Sequence, residues 1–368
     1  MHWPNRTKKH DKERSPAMQI CEAIEKLEAR QHLDRVEAGA VMERLLSGSV
    51  PDEEIVSFLA ALRDKGEQAE ELVGFAEVMR THAAEGLRRA GVDLEGLRAG
   101  GPLLDTCGTG GDGHATFNVS TAVALVAAAG GIRAAKHGNR SISSRCGSAD
   151  VLEALGVSLD LPYARIPACL EEVGMVFLFA PSLHLAMKHV MNARRALKTK
   201  SVFNLLGPLT NPLRASVQLV GVYDASRTEM MARALGAVGT ERAFVVTGSD
   251  GMDEVTLSGP TRLSSYNAGE VETRNVTPEE FGLARTPLEE LRGGDAATNA
   301  RLTLSVLRGE RGPHRDVVLA NAAAAFVVAG KAADFMDGVG MASAVIDSSR
   351  ALETLQKLVD FTQKNKSH

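Results

Sequence analysis

The chain has 368 residues, of which 44% are hydrophobic, and it carries a formal net charge of −4 at pH 7. This length and composition suit an enzyme-sized subunit of one or two domains, and the slight negative charge excludes a general basic field for nucleic acid. No apolar stretch is long enough to cross a bilayer and the N-terminus lacks the apolar segment of a secretory signal, so we expect a cytoplasmic protein.

The four cysteines are widely spaced; they are Cys21, Cys107, Cys146 and Cys169. They form no C-x-x-C pair of the kind that marks metal or redox sites, which predicts free thiols in a reducing compartment. Cys107 adjoins a glycine-rich loop, but the apolar run before it indicates a buried strand cysteine rather than a nucleophile.

The N-terminal quarter of the chain predicts a polar extension followed by helices. Residues 1–16 are polar and mixed in charge, which favours a disordered extension. Between 17 and 91, apolar residues recur at helical spacing, and a serine, a proline and acidic residues at 49–53 mark a helix start. Three or four helices with short connections predict a small helical domain.

A glycine-rich stretch follows a short strand predicted at 102–107. Its glycines allow positive φ and close approach of backbone to a ligand; they are Gly108, Gly110, Gly111 and Gly113. Asn118, Ser120 and Thr121 then open a helix of small apolar residues predicted at 122–129. Backbone N–H groups and the positive end of the helix would converge here, which predicts an anion site, most simply for phosphate.

The same glycines satisfy the G-x-G-x-x-G pattern of dinucleotide-binding proteins. That fingerprint expects an acidic residue about twenty positions later to bind the ribose hydroxyls. Arg133 and Lys136 occupy the corresponding region, and the Walker pattern is also absent. The dinucleotide interpretation is therefore disfavoured.

A second polar loop follows a strand predicted at 131–135. Lys136 and Arg140 supply positive charge, and three serines supply hydrogen-bond donors; these are Ser141, Ser143 and Ser144. Two strands joined by a helix form a βαβ unit, in which ligands collect at the carboxyl ends of the strands. The two loops are therefore expected to form one site.

The rest of the chain alternates strands and helices. Strands are predicted at 175–180, 217–223 and 243–247, with helices at 187–197 and 228–238. The segment 204–212 is rich in proline and asparagine and predicts a rigid loop. A hairpin is predicted at 261–277, turning at 267–269, with closing helices at 316–333 and 347–361. This alternation predicts an α/β fold with a mostly parallel central sheet flanked by helices.

Two adjacent acids, Asp253 and Glu254, follow the strand predicted at 243–247. Carboxylate oxygens at the end of a strand are hard ligands suited to Mg²⁺. An isolated Asp-Glu pair is usually a charged turn, but a phosphate site nearby would need such a cation. Asp250 lies close by and is not counted among the predicted ligands.

Four motifs occur together: GTGGD at 108–112, NVST at 118–121, KHGNRSISS at 136–144 and GSADVLEALG at 147–156. In combination they resemble the anthranilate phosphoribosyltransferase family of tryptophan biosynthesis, which shares its fold with pyrimidine nucleoside phosphorylases. The likeness runs from about residue 17 to about residue 361. It implies a small all-helical N-terminal domain at 17–91, to which about 185–212 returns, and a large α/β domain at 92–368.

The resemblance implies transfer of a phosphoribosyl group from 5-phosphoribosyl diphosphate (PRPP) to the amine of anthranilate, with Mg²⁺ as the cofactor. The implied PRPP contacts are Gly108, Gly111, Asp112, Thr116, Asn118, Val119, Ser120, Thr121, Lys136, Arg140, Ser141, Ser143, Ser144 and Ser148. Gly108, Asn139 and Arg194 would bind anthranilate, and Ser120, Asp253 and Glu254 would bind the metal. No residue stands out as a general acid or base. The family also implies a homodimer formed through the helical domain.

The sequence departs from the family pattern at four positions near the expected anthranilate pocket. Leu183 replaces a usual aromatic residue, Leu185 and Asn192 replace usual prolines, and Cys146 replaces a usual serine. None of these changes removes a charged ligand. They bear on the shape of the pocket and on its tolerance for substituted benzoates.

Two other functions fit the same scaffold. A pyrimidine nucleoside phosphorylase would attack a nucleoside with phosphate, but it needs neither the metal pair nor an arginine for a benzoate carboxylate. A non-catalytic paralogue that binds nucleic acid would be expected to lose motif residues and to gain a basic surface. This chain keeps the motifs and is slightly acidic.

Overall fold

The computed structural model describes residues 18–141 and 145–366. The predicted N-terminal extension and the serines Ser143 and Ser144 lie outside the described residues. Within the described ranges, no helix combines the length and the apolar character needed to span a membrane.

Four helices form an N-terminal bundle, as the apolar spacing predicts. They are α1 (Ile20–Glu28), α2 (Arg35–Ser47), α3 (Asp52–Lys65) and α4 (Ala69–Arg89), and a short α5 (Leu94–Ala99) follows. Asp34 starts α2 by accepting hydrogen bonds from the N–H groups of Val36 and Glu37, and Gly48 ends it in the left-handed conformation. The buried stripe of α3 holds Ile55, Phe58, Leu59 and Leu62.

A seven-stranded sheet forms the centre of the α/β part. Its strands are β1 (Leu103–Gly108), β2 (Arg133–Gly138), β3 (Met175–Phe179), β4 (Val217–Gly221), β5 (Arg242–Gly248), β6 (Thr261–Asn267) and β7 (Glu270–Val276). The spatial order is β3-β2-β1-β4-β5-β6-β7; the first five strands are parallel and the last two antiparallel. The predicted mostly parallel sheet is therefore confirmed. Its hairpin turns at Ala268 and Gly269, both at positive φ.

Helices cover both faces of this sheet. They are α6 (Val119–Ala129), α7 (Ser148–Ala154), α8 (Ile166–Glu172), α9 (Ala180–Leu183), α10 (Met191–Leu197), α11 (Val202–Leu209), α12 (Thr228–Ala237), α13 (Ala296–Leu307), α14 (Pro313–Val328), α15 (Phe335–Asp347) and α16 (Arg350–Lys364). One core packs α6 and α13–α16 against one face of the sheet. The other core joins the N-terminal bundle to α10–α12 and to the opposite face.

The prediction of a rigid loop at 204–212 is wrong, because most of that segment is the helix α11. The Asn204 side chain accepts a hydrogen bond from the N–H of Ser201, which closes the first turn of the helix. Burial of Phe203, Leu205 and Leu206 then outweighs the poor helix propensity of the asparagine and of Pro208. The four positions 202, 203, 205 and 206 give α11 its apolar face.

A single guanidinium ties the N-terminal bundle to two other helices. Arg80 of α4 is 4% exposed, and it donates to the carbonyl of Leu209 at 2.5 Å and to that of Val238 at 2.6 Å. These carbonyls lie at the C-terminal ends of α11 and α12, where helix dipoles favour positive charge. Burial lowers the pKa of Arg80 to about 10, so the group keeps its charge at neutral pH.

Replacing Arg80 with methionine is expected to lower the free energy of unfolding by about 3 kcal/mol, because two buried carbonyls lose their donors. Urea unfolding followed by circular dichroism measures the change. Arg88→Met, at an exposed position of the same helix, is the matched control and should stay within about 0.5 kcal/mol of the parent. Equal effects of the two substitutions would contradict this role for Arg80.

Candidate active site

The predicted site residues gather where the direction of the strand order reverses. From β1, the chain places β2 and β3 on one side and β4 and β5 on the other, and ligands of open α/β sheets bind at the carboxyl ends of strands at such a point. The glycine-rich loop follows β1 and the acids Asp253 and Glu254 follow β5. The N–H of Thr109 donates to the carbonyl of Gly221 at 2.9 Å, which holds this loop against the end of β4.

Asp253 lies directly on the ends of β1 and β4. A Cβ atom on Gly108 would overlap the Asp253 carboxylate, and one on Gly221 would overlap the Asp253 carbonyl. The N–H of Gly110 donates to Asp253 Oδ2 at 2.8 Å. Glycine is therefore required at both strand ends to admit Asp253, whose carboxylate is fixed against the glycine-rich loop.

Three carboxylates converge at this point with little positive charge beside them. Burial and the nearby charge of Asp112 raise the pKa of Asp253 to about 7, and burial also raises the pKa of Glu254 well above its usual range. Asp112 Oδ2 is buried and has no hydrogen-bond partner among the described residues. Hard oxygens with an unpartnered atom fit a divalent cation that would relieve their repulsion.

Within 18–141 and 145–366, however, no group of three or more histidine, cysteine or acidic side chains is arranged as a complete metal site. Mg²⁺ usually takes one or two carboxylates and completes its shell with water and substrate phosphates. The pair of Asp253 and Glu254 therefore fits a cation that arrives together with a phosphorylated ligand.

The N-terminus of α6 lies beside Glu254. The N–H of Ser120 donates to Glu254 Oε1 at 3.2 Å, and the ammonium of Lys136 donates to Ser120 Oγ at 3.0 Å and to the carbonyl of Thr106 at 2.5 Å. Thr121 Oγ1 is buried and has no partner in the described part of the chain. Ser120 thus connects Glu254 to Lys136, which lies beneath the site.

The expectation that Lys136 lies in a loop after the second strand is wrong. The strand β2 runs to Gly138, because Lys136 and His137 pair in parallel with Phe177 and Leu178 of β3. Lys136 is consequently 2% exposed. Its ammonium is held beneath the site by Thr106 and Ser120 rather than at the surface.

Beyond their first two paired positions, β1 and β2 are joined by side chains instead of by backbone hydrogen bonds. The two strands pair at Leu103–Arg133 and Leu104–Ala134, and beyond these pairs side chains satisfy the backbone. Asp105 accepts from the N–H of His137 at 3.1 Å, and Asn211 donates to the carbonyl of Ala135 at 2.8 Å and to Asp105 at 2.9 Å.

Sequence reasoning missed both of these side chains. The available signals are the single acid of an apolar strand, Asp105, and an asparagine before a proline, Asn211. Burial raises the pKa of Asp105 to about 6, although hydrogen bonds from Asn211 and His137 and the charges of Lys136 and Arg80 oppose the shift.

The side chains around α6 and α7 hold one another. Asn118 does not cap α6, contrary to expectation; its amide donates to the carbonyl of Cys146 at 3.3 Å and accepts from Asn299 at 2.9 Å. Arg140 forms ion pairs with Asp150 and Glu153, so its charge is neutralised within the protein. Asn299, on α13, is a further residue that the sequence alone did not indicate.

The other predicted contacts surround the same loops. The backbone of Thr116 forms an isolated antiparallel β-bridge with that of Arg292. Val119 is the buried first residue of α6, and the Ser148 hydroxyl donates to the carbonyl of Asn139 at 3.3 Å. The N–H of Ser141 donates to Asp150 at 3.0 Å. Gly111 is exposed and adopts a φ of 78°.

Arg194 is the half-buried cation of the 184–207 region. It lies on α10 with its guanidinium 5.0 Å from the centre of the Phe203 ring and 3.9 Å from Met191 Sδ. Burial lowers its pKa, and no described carboxylate lies within ion-pair distance of it. An arginine held on an aromatic ring without an acidic partner suits an anionic ligand.

The four residues that depart from the family pattern lie in different surroundings. Leu183 is buried and lines a cavity of about 310 Å³ together with Tyr163, Phe177 and Phe179. Leu185 is 68% exposed. Asn192 is exposed on α10, and Cys146 is buried beside Asn118.

Comparison with known proteins gives the family. The helical bundle domain of the glycosyl transferase family matches residues 22–83, and the a/b domain of the same family matches residues 100–352. An anthranilate phosphoribosyltransferase of Moorella thermoacetica is 48% identical over 341 residues, which cover 92% of this chain and 97% of the relative.

Two solved structures are similar over nearly their whole length. Anthranilate phosphoribosyltransferase from Thermus thermophilus has a TM-score of 0.83 and 42% identity, and the match covers 93% of this chain and 99% of that one. The Saccharomyces cerevisiae enzyme, solved in complex with PRPP and Mg, has a TM-score of 0.83 and 28% identity, covering 94% and 98%.

The fold and the two matched domains define a pentosyltransferase of the glycosyl transferase family, with a helical bundle and an α/β domain. Within that class, the chain belongs to the anthranilate phosphoribosyltransferase family, whose members act in tryptophan biosynthesis.

Two neutral histidines lie between β2 and the segment that carries Arg194. The rings of His137 and His184 are 5.2 Å apart, and His137 Nδ1 lies 3.3 Å from the carbonyl of Gly207. Burial lowers the pKa of His137 to about 3 and that of His184 to about 4. The Nε2 atoms of both rings are buried without a described partner.

These histidines predict a loss of stability in acid. Their folded-state pKa values lie below the ordinary 6.5, so the unfolded chain binds more protons as pH falls from about 6.5 towards 4. Each should remove up to about 1.4 kcal/mol of unfolding free energy per pH unit in that window. Urea unfolding at several pH values should show a shallower slope for His137→Gln/His184→Gln. His32→Gln, at an exposed histidine, should keep the parent slope; identical slopes for all three proteins would refute the assignment.

Proposed function

We propose that this chain transfers the 5-phosphoribosyl group of PRPP to the amine of anthranilate and releases pyrophosphate. The observation that carries the proposal is the meeting, at the strand-order reversal, of the glycine-rich loop, the start of α6 and the pair Asp253 and Glu254. The yeast relative, solved with PRPP and Mg and in another crystal with 4-fluoroanthranilate, supports these ligands.

In this proposal the glycine-rich loop binds the diphosphate of PRPP. The positions that Cβ atoms would take on Gly110 and Gly113 have no atom within 4 Å, which leaves room for phosphate oxygens beside the loop. The start of α6 lies at the same edge, next to Glu254. Lys136 acts from below by orienting Ser120, with which it shares a hydrogen bond. Arg140 and Ser141 are bonded to Asp150, and the segment that they begin would contact the ribose phosphate.

Asp253 and Glu254, with Ser120, would hold Mg²⁺. The bound ion would neutralise the diphosphate as negative charge develops on it during departure. The chain's own contribution is to fix both acids, by the N–H groups of Gly110 and Ser120, before the substrate binds. Positioning of this kind removes reorganisation from the reaction step.

Arg194 and Asn139 would hold anthranilate, with Arg194 facing the carboxylate. The guanidinium has no described acidic partner and its planar fork matches a carboxylate. His137 and His184 are neutral, so they would form uncharged walls rather than a proton relay. An aromatic amine is already nucleophilic, so no general base is required.

Three features of the chain remain predictions. They are the division into 17–91 and 92–368 with a return at 185–212, the cytoplasmic location and the homodimer through the bundle. Sedimentation velocity of the purified chain tests the dimer.

The decisive experiment is the loss of anthranilate fluorescence on mixing the protein with PRPP and Mg²⁺. We expect metal-dependent loss for the parent, and a fall in kcat/KM of about a thousandfold for Asp253→Asn/Glu254→Gln. Glu241→Gln, an exposed acid at the other end of β5, is the matched control. Folded protein without any fluorescence loss would refute the proposal; phosphorolysis of pyrimidine nucleosides and salt-dependent DNA binding would then be measured.

Arg194→Met is expected to raise the KM for anthranilate about thirtyfold, because a charge-assisted contact to the carboxylate is lost. Arg195→Met, at the exposed neighbouring position, should have little effect. Aniline, which lacks the carboxylate, should react equally with the parent and with Arg194→Met. A selective effect of Arg194→Met on aniline would contradict the assignment.

A further inference from the structure

Lys200 lies across the glycine-rich loop, although it belongs to the segment between α10 and α11. Its Cε is 3.1 Å, and its Nζ 3.7 Å, from the position that a Cβ atom would take on Gly111. The ammonium lies 3.5 Å from the centre of the Tyr223 ring, just after β4. The side chain therefore extends from one side of the site to the other.

The charge of Lys200 is not neutralised by the described protein. Arg227, the other cation near the Tyr223 ring, forms ion pairs with Glu67 and Asp224. Lys200 is exposed and has no described carboxylate within ion-pair distance. A cation–π contact places an ammonium without satisfying its hydrogen-bond donors.

The backbone around Lys200 is held in place from both sides. Arg63 of α3 donates to Thr199 Oγ1 at 2.8 Å, and the N–H of Ser201 donates to the Asn204 side chain at 3.1 Å. Tyr223 is held in turn, since its N–H donates to Thr109 Oγ1 at 3.2 Å. The position of the ammonium next to the loop is thus built by contacts that do not require a ligand.

We propose that Lys200 is a direct ammonium contact for the diphosphate bound at the glycine-rich loop. The inference rests on the proposed function, since it needs a diphosphate at Gly111. Lys136 is buried and bonded to Thr106 and Ser120, and Arg140 is paired with acids. Lys200 is the described cation beside this loop whose donors remain available to an incoming anion.

The test separates the charge of Lys200 from its packing. Lys200→Met keeps an unbranched apolar stem on the Tyr223 ring and removes the ammonium, whereas Lys200→Arg keeps a cation. Lys198→Met, two residues away and exposed, is the matched control. Calorimetry would measure binding of inorganic pyrophosphate in MgCl₂, and steady-state kinetics would give separate KM values for PRPP and anthranilate.

For Lys200→Met we expect the Kd for pyrophosphate and the KM for PRPP to rise about tenfold, with the anthranilate KM unchanged within about twofold. Added KCl should weaken pyrophosphate binding to the parent more than to Lys200→Met. Lys200→Arg and Lys198→Met should resemble the parent.

Unchanged pyrophosphate binding by Lys200→Met, with an active parent, would overturn this inference and leave the proposed function intact. Equal losses in Lys200→Met and Lys200→Arg would assign Lys200 a packing role and also overturn it. A parent that neither binds pyrophosphate nor consumes anthranilate would refute the proposed function and this inference together.

Discussion

The site depends on the separation of β1 from β2. Past Leu104 and Ala134 the gap between the strands is filled by side chains of Asp105, Lys136 and Asn211, which bond to the exposed backbone groups. Buried backbone groups must find partners, so these three polar residues follow from the geometry of the strands. Lys136 also donates a hydrogen bond to Ser120 at the start of α6. The side chains between β1 and β2 are therefore connected to α6 and, through Ser120, to the acidic pair.

The electrostatic state of the site follows from the same arrangement. Three acids, Asp112, Asp253 and Glu254, face one buried ammonium, and burial with mutual repulsion raises the pKa values of Asp253 and Glu254. Burial likewise lowers the pKa of Lys136, although the neighbouring acids oppose that shift. Such a pocket repels a bare anion, whereas a divalent cation would relieve the repulsion among the acids. It suits the two together, since the cation offsets the acids and the backbone N–H groups receive the anion.

Much of the fold could be predicted from the sequence because local signals agree with the packing. The bundle helices, the parallel strands and the hairpin at Ala268 and Gly269 all follow from apolar spacing and turn residues. The helix α11 could not be predicted, because its asparagine and proline favour a loop. It forms a helix because its apolar face is buried in the tertiary structure.

The predicted site residues also lie around one end of the sheet, but their surroundings could not be predicted. The sequence predicts that β2 ends before Lys136, whereas the strand runs to Gly138. The extent of β2 could not be predicted because it depends on pairing with β3. Hydrogen bonds between residues far apart in the sequence could not be predicted either, namely those of Asn211 with Asp105 and of Asn299 with Asn118. Lys200 reaches the glycine-rich loop only because the chain folds back to it.

The bond pattern of Arg80 has a mechanical consequence. Its guanidinium joins α4 to the ends of α11 and α12, so the bundle cannot swing away from these helices without exposing two carbonyls and a buried charge. Rotation of the whole bundle as a rigid arm is therefore energetically costly.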